Sequence, residues 1–309
     1  MERFLADGRF GVRAVTRNSP DSVPPGTETI LGFDLSNSAR IDDAVRGVDS
    51  ILHLAARVHV RGSIDETQRR RYDAINLDGT MALAAKAASA GVRRFIFVST
   101  IAVNGSSTKL GHPFDAQSPR APKQPYAYSK SAAEKGLEAL ARETGMEVVI
   151  IRPPLVYGPG VKGNFRAMMH WLASGVPLPF AAITSNRRTL VAVDNLVDLI
   201  AICIDHPAAA NQTFLVGDDE DLSTAELLTR LASAMGVRSR LVAIPPAIVN
   251  VTMTVLGLGS QSTRLLQSLQ LDSSKARAYL AWKPSLSVDE GLRRVADHFK
   301  DTGRVVPEM

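Results

Sequence analysis

The sequence predicts an α/β fold: a doubly wound parallel sheet followed by a smaller α/β lobe. Three observations predict it. In the first half, short β-branched runs alternate with Ala-rich helical patterns, and strands that alternate with helices pair in parallel. Those runs, Arg94–Val98 (RFIFV) and Glu147–Arg152 (EVVIIR) among them, lack polar alternation, so both faces of the sheet are covered. The second half is more irregular, with Pro and Gly between its helices. It reads as a lobe facing the carboxyl ends of the strands, the crevice where open α/β sheets bind ligands.

In chain order the expected strands are Val12–Thr16, Glu28–Leu31, Ser50–Leu54, Arg94–Val98 and Glu147–Arg152. Between them, Ser38–Val45, Asp73–Ala90 and Tyr126–Thr144 have helical spacing. The later helices are expected near 163–174, 194–205, 223–236 and 288–299.

Composition narrows the class. The 309 residues are 45% hydrophobic and 22% charged, which fits an ordinary globular core and excludes a disordered chain or a collagen-like fibre. Cys203 is the only cysteine, so no intramolecular disulfide and no four-cysteine metal site can form, and a reducing, cytoplasmic setting is expected. The longest apolar candidate, Ala247 to Leu258, interrupted by Asn250, is shorter than a membrane span requires. Residues 1–20 hold Glu2, Asp7 and several arginines, with no apolar core like that of a signal peptide. The net charge is +5, and its only dense run, Arg69-Arg70-Arg71, reads as a solvated helix face. Neither nucleic acid nor membrane is expected as a partner. A modest positive balance suits a ligand that carries phosphates. The six histidines show no paired spacing with acids, so no metal site is expected.

The sharpest motif is Tyr126-Ala-Tyr-Ser-Lys130 at a helix start. Residues four apart share one helical face. A phenol with a pKa of about 10 is a poor base at neutral pH. A neighbouring ammonium and a cationic nicotinamide would favour the phenolate. Upstream, Phe95-Ile-Phe-Val-Ser-Thr100 is a buried strand ending in a hydroxyl pair, able to bond a substrate oxygen and share its proton with the tyrosine. Earlier still, Ile51-Leu-His-Leu-Ala-Ala56 ends in small residues that let backbone approach a ligand, and Asn76 lies on the next helix.

Together these residues resemble the extended short-chain dehydrogenase/reductase family, in particular its nucleotide-sugar epimerases, 4-keto reductases and dehydratases. The resemblance runs from residue 2 to about 295, through FDL (33–35), HLAA (53–56), Thr100, YxxxK (126–130), IRPPLVYGPG (151–160), RRTLVAVDNLVD (187–198) and DSSKARAYLAWKPSLSVDEGL (272–292). It implies a Rossmann-type dinucleotide-binding domain over 1–155 and a mainly substrate-binding lobe over 156–309, with part of 187–216 returning to the first domain. It implies Tyr126 as general acid/base, Lys130 on the ribose hydroxyls, and Thr100 orienting the reacting oxygen. Asp34 and Leu35 would flank the adenine, and Leu54, Ala55, Ala56, Asn76 and Ser99 would line the cofactor groove. Asn164, Arg188 and Arg264 would hold a uracil and its pyrophosphate. Dimerisation through the YxxxK helix and its neighbour is a further implication.

Two departures sharpen the expectation. Dehydratases of this kind carry Asp-Glu after the strand-end Thr, where this chain has Ile101-Ala102, so elimination chemistry is not expected. Many UDP-hexose epimerases have Asn near Leu155, which leaves that sugar or phosphate contact in question. The RPPLVYGPG and Val103-Asn104-Gly105 versions point to bacterial surface-polysaccharide enzymes acting on UDP-N-acetylhexosamines or their 6-deoxy-4-keto derivatives. The cofactor expected is NAD or NADP, and Arg17 at the end of the second strand favours NADP. The implied reaction is hydride transfer at C4 of a UDP-hexose or UDP-N-acetylhexosamine, as an epimerase or a 4-keto reductase.

The family's first strand and Gly-x-x-Gly-x-x-Gly turn have no counterpart here. Met1 to Gly8 reads as the end of the following helix. The expectation is a natural start roughly 20–30 residues upstream, the length of an ordinary strand, turn and helix. Without that turn, a non-catalytic dinucleotide-binding pseudo-enzyme or sensor is an alternative. A short-chain reductase of a steroid or flavonoid ketone is another.

Overall fold

The computed structural model describes residues 1–17, 23–35, 40–58, 66–255 and 259–303. The elements are α1 (Glu2–Asp7), β1 (Arg13–Thr16), β2 (Glu28–Leu31), α2 (Ile41–Val45), β3 (Ser50–His53), α3 (Glu66–Asp73), α4 (Thr80–Ser89), β4 (Arg94–Val98), α5 (Pro125–Thr144) and β5 (Glu147–Arg152). They continue through β6 (Leu155–Tyr157), α6 (Gly163–Ser174), β7 (Arg188–Ala192), α7 (Val193–Asp205), β8 (Thr213–Leu215), β9 (Asp221–Leu222) and α8 (Thr224–Met235). The C-terminal helices are α9 (Pro246–Val255), α10 (Gly259–Leu266), α11 (Ser274–Leu280) and α12 (Val288–Gly303). A π-helical turn, Ala74–Gly79, joins α3 to α4, so the helix expected over Asp73–Ala90 is a widened turn followed by α4, with α3 running into it from upstream.

The fold is α/β with parallel strands, as expected. Strands β3, β4, β5 and β8 form a four-stranded parallel sheet in the order β3-β4-β5-β8. Their apolar runs leave β4 and β5 almost wholly buried because a layer covers each face. One layer gathers Ile96, Val149, Phe214 and α7 around Trp282. The other packs Phe95, Phe97 and Ile150 against α2, α4 and α5.

Strands β1 and β2 pair in parallel as a separate ribbon, a departure from the single sheet expected. The ribbon rests on the same two layers: Phe10 and Val12 join Leu52 on one side, and Phe33 and Leu35 join Ile51 on the other. Leu35 lies hard against the π turn, where a Cβ on Gly79 would sit 2.6 Å from the Leu35 carbonyl oxygen. Among the described residues no strand pairs with the second edge of β1 or of β3.

The remaining strands form a small mixed sheet in the order β6-β7-β9, beside a second core built from α6, α8, α9 and α12. Asp218 ties it together. Its carboxylate accepts the Tyr157 hydroxyl at 2.7 Å, the Ala192 N–H at 2.9 Å and the Asn195 amide at 2.7 Å. The YGPG and VDN segments of the sequence therefore meet in one buried polar clamp.

Candidate active site

Strand β4 delivers Ser99 and Thr100 to its carboxyl end, and α5 begins with Pro125 at its first turn, so that Tyr126 and Lys130 follow within a turn of each other. Pro fits that position because its fixed φ is already helical and its missing N–H is not needed there. Thr100 opens a 3-10 turn, Ile101–Val103, and its hydroxyl oxygen accepts the Ala102 N–H at 3.2 Å. Helix α5 packs on that turn. Ser99 is buried, its N–H bonded to the Ile151 carbonyl at 2.7 Å, while its hydroxyl oxygen has no partner.

Lys130 is 1% exposed, with its ammonium nitrogen 4.0 Å from the centre of the Phe97 ring. Burial pulls its pKa down to about 7, and the Glu134 carboxylate works in the opposite direction. Tyr126 lies with its ring 6.4 Å from that of Tyr72, and burial, followed by the Tyr72 phenol, pushes its hydroxyl up to about 12. Desolvation disfavours the charged form of each group, and it is the largest cause of both shifts in the ligand-free chain.

His53, at the end of β3, is buried with its ring 5.8 Å from Phe97 and nearly parallel to it. Its Nε2 lies 3.0 Å from the Thr80 hydroxyl, and burial, then the Lys130 charge, drives its pKa down to about 3. It is a neutral packing residue.

Asn76, expected in the cofactor groove, joins the loop after β3 to α5. Fully buried, its amide donates to the Arg57 carbonyl at 3.0 Å and to the Ser129 hydroxyl at 3.0 Å, and its oxygen accepts the Arg57 N–H at 2.8 Å. Ser129 in turn donates to the Tyr126 carbonyl at 2.9 Å. Asn76 thus locks the loop after β3 to the first turn of α5, and its own amide is spent on protein groups. The Tyr72 hydroxyl adds a second tie to that loop through the Val58 carbonyl at 3.2 Å. Within the loop Leu54 and Ala55 are exposed and Ala56 is half-buried.

At the end of the β1–β2 ribbon, Arg17 and Asp34 form an ion pair at 2.9 Å, and Leu35 is buried against the π turn. In the second lobe Arg188 opens β7 and donates to the Gln267 carbonyl at 2.9 Å, and Asn164 is exposed in the first turn of α6. Arg264 belongs to α10, with its side chain outside the described part of the structure. Ser99, Thr100, Tyr126, Lys130 and Asn76 thus share one neighbourhood, whereas Asn164, Arg188 and Arg264 belong to α6, β7 and α10.

A buried ion network beneath α5 was not foreseen from the sequence. Glu134, wholly buried, accepts two bonds from Arg152 at 2.9 and 2.6 Å and one from Arg120 at 2.9 Å. Arg152 continues to the Asn104 oxygen at 3.1 Å. The signal in the sequence is an acid four residues after Lys130 together with an arginine that ends the apolar run Val148–Ile151. Among the described residues no cluster of His, Cys, Asp and Glu has metal-binding form, and no helix is long and apolar enough to cross a membrane.

A strand-end hydroxyl pair facing a Tyr–Lys helix on a parallel sheet coincides with a family match: the model of the NAD dependent epimerase/dehydratase family covers residues 1–217. The chain belongs to this family. It is 43% identical over 266 residues to a UDP-glucose 4-epimerase of Vibrio cholerae, spanning 86% of this chain and 81% of that one. A UDP-glucose 4-epimerase of Mycolicibacterium smegmatis is 30% identical over 97% of this chain and 94% of its own. Among solved structures, the Thermus thermophilus UDP-glucose 4-epimerase superposes with a TM-score of 0.77 at 24% identity, covering 97% of this chain and 94% of that one. As a member of the epimerase/dehydratase family, the chain is an NAD-dependent enzyme of the nucleotide-sugar epimerase/dehydratase type.

Proposed function

We propose that this enzyme interconverts the C4 epimers of a UDP-hexose or UDP-N-acetylhexosamine by hydride transfer, with Tyr126 carrying the proton of the C4 hydroxyl. The observation that carries this reading is the placement of Tyr126, Lys130 and Thr100 around the carboxyl end of β4. The Thr100 oxygen already accepts a backbone N–H, so its own hydrogen is left to donate to a substrate oxygen. A Tyr126 hydroxyl pushed up to about 12 by burial is protonated at neutral pH, the form that can return a proton to a 4-keto oxygen. To act as base in the opposite direction it needs added positive charge, which the Lys130 ammonium supplies in part.

NAD, when bound, supplies the hydride acceptor and further positive charge. The residues at the carboxyl ends of β3 and β4 fit its nicotinamide-ribose half: the partnerless Ser99 hydroxyl is an unused donor and acceptor, and Asn76 fixes the Arg57 end of the loop after β3 through two backbone bonds. The sequence has no Gly-x-x-Gly-x-x-Gly turn, and no pyrophosphate contact is assigned. Arg17, the residue that favours NADP in the sequence, is engaged by Asp34. A 2′-phosphate would have to displace that carboxylate, which supports NAD. Asn164, Arg188 and Arg264 remain the proposed contacts for the uridine diphosphate.

The test is incubation with UDP-glucose and with UDP-N-acetylglucosamine without added nucleotide, and separately with a UDP-4-keto-6-deoxy sugar plus NADPH. Formation of the galacto epimer in either of the first two supports the proposal. NADPH consumption confined to the third would make the protein a 4-keto reductase, and inertness in all three would overturn the sugar reading.

A further inference from the structure

The second lobe carries an apolar face that the catalytic reading leaves unused. Helix α9 turns Val249 into the core and rests Met253 against it, so the opposite side carries Ile248, Val251 and Val255, spaced three and four apart on one stripe. They are 55%, 62% and 80% exposed. On the segment that leads into α9, Val242 is also exposed, and Val176 lies on the segment beside it, because Leu178 donates to the Arg240 carbonyl at 2.9 Å and accepts the Val242 N–H at 2.8 Å. Together these are five of the fifteen large apolar side chains that the described residues leave exposed. Concentration of that kind marks an interaction surface.

Charge indicates what the surface meets. From Leu227 to Leu271 the chain has no aspartate or glutamate, and every charged residue there is an arginine. Arg238 and Arg240 are exposed on the segment that leads into α9, and among the described residues neither has an ion-pair partner. Interfaces between proteins are enriched in aromatic side chains at their centre, and none occurs between Leu241 and Val255. An aliphatic helix face with cations at its margin and no acid nearby has the chemistry of a helix lying in the headgroup region of an anionic bilayer.

We propose that the α9 face docks the protein on an anionic lipid surface, with Ile248, Val251 and Val255 entering the headgroup boundary and Arg238 and Arg240 meeting lipid phosphates. The docking is independent of the catalytic reading and departs from the sequence-based expectation of no membrane partner.

The test is co-sedimentation of the full chain with vesicles of phosphatidylcholine containing phosphatidylglycerol, and with phosphatidylcholine alone. The wild type is expected to partition onto the anionic vesicles and only weakly onto the neutral ones. Ile248→Asn, Val251→Asn and Val255→Asn combined should lower that partition by about tenfold or more. Arg238→Glu with Arg240→Glu should lower it by at least about fivefold per arginine, with the melting temperature unchanged because both side chains are exposed and unpaired. Wild-type protein remaining in the supernatant with anionic vesicles would overturn the proposal, as would equal binding by both variants. A lipid-free dimer that the apolar variant converts to monomers would also overturn it, since the face would then be covered by a second copy.

Discussion

Tyr126 and Lys130 are each shifted toward neutrality, and the cause for both is burial. In the proposed mechanism, part of the positive charge that favours the phenolate therefore comes with the bound cofactor. His53 offers a clean pH readout of the same burial. Its unfolded form gains a proton below its ordinary value of 6.5, whereas its folded form resists until about 3. Between those limits the unfolded chain binds more protons, so stability falls as pH drops, by up to about 1.4 kcal/mol per pH unit. Denaturant titrations from pH 6.5 to pH 4 should show a shallower decline for His53→Gln, which does not titrate there and can still meet Thr80. Glu134 is a second residue-scale case. Replacing it with Gln leaves the buried Arg152 guanidinium without its carboxylate, whereas the half-buried Arg120 keeps Glu138, and unfolding free energy should drop by about 3 kcal/mol in urea titrations. The Tyr–Lys spacing and the strand-end threonine are legible in the sequence because each is local. Asn76 is not, because its role depends on Arg57 and Ser129 coming together in the fold, and the Glu134–Arg152 pair depends on β5 lying beneath α5.

The elements of the first half are legible almost to the residue, since buried strands and long Ala-rich helices leave strong patterns: β1, β2, β4 and β5 fall where their β-branched runs predict. The π turn inside the expected Asp73–Ala90 helix leaves no periodic trace, and Gly79 shows what it is for. A methyl group there would press on the Leu35 carbonyl and Cβ, which are backbone-fixed and cannot rotate away. Gly79→Ala should cost about 1–3 kcal/mol in a urea midpoint measurement and loosen the Leu35 segment. The strands of the small mixed sheet are two to five residues long, too short for alternation to register. Helices α9, α10 and α11 were hidden by Pro, Gly and Ser, and α9 is apolar on both sides, so no moment marked its inner face.

Across the whole molecule, the parallel sheet is interrupted between β1 and β3 while its two side-chain layers run on past the interruption. Backbone amides at those edges lack ladder partners among the described residues, and such groups open to solvent more readily. Hydrogen exchange should therefore be fastest in β1 and β3 and slowest in β4 and β5, and uniform protection across all four would contradict this description of the sheet. The proposed uridine contacts lie on α6, β7 and α10, outside the β4–α5 neighbourhood of Tyr126, so in the proposed reading the substrate spans from one to the other. The most direct measurement of that chemistry uses UDP-glucose deuterated at C4. Wild-type enzyme should yield UDP-galactose with the deuterium retained at C4, and Tyr126→Phe should slow turnover by about 10²- to 10⁴-fold with little change in KM. Deuterium lost to solvent, or a Tyr126→Phe enzyme as fast as the wild type, would contradict the account.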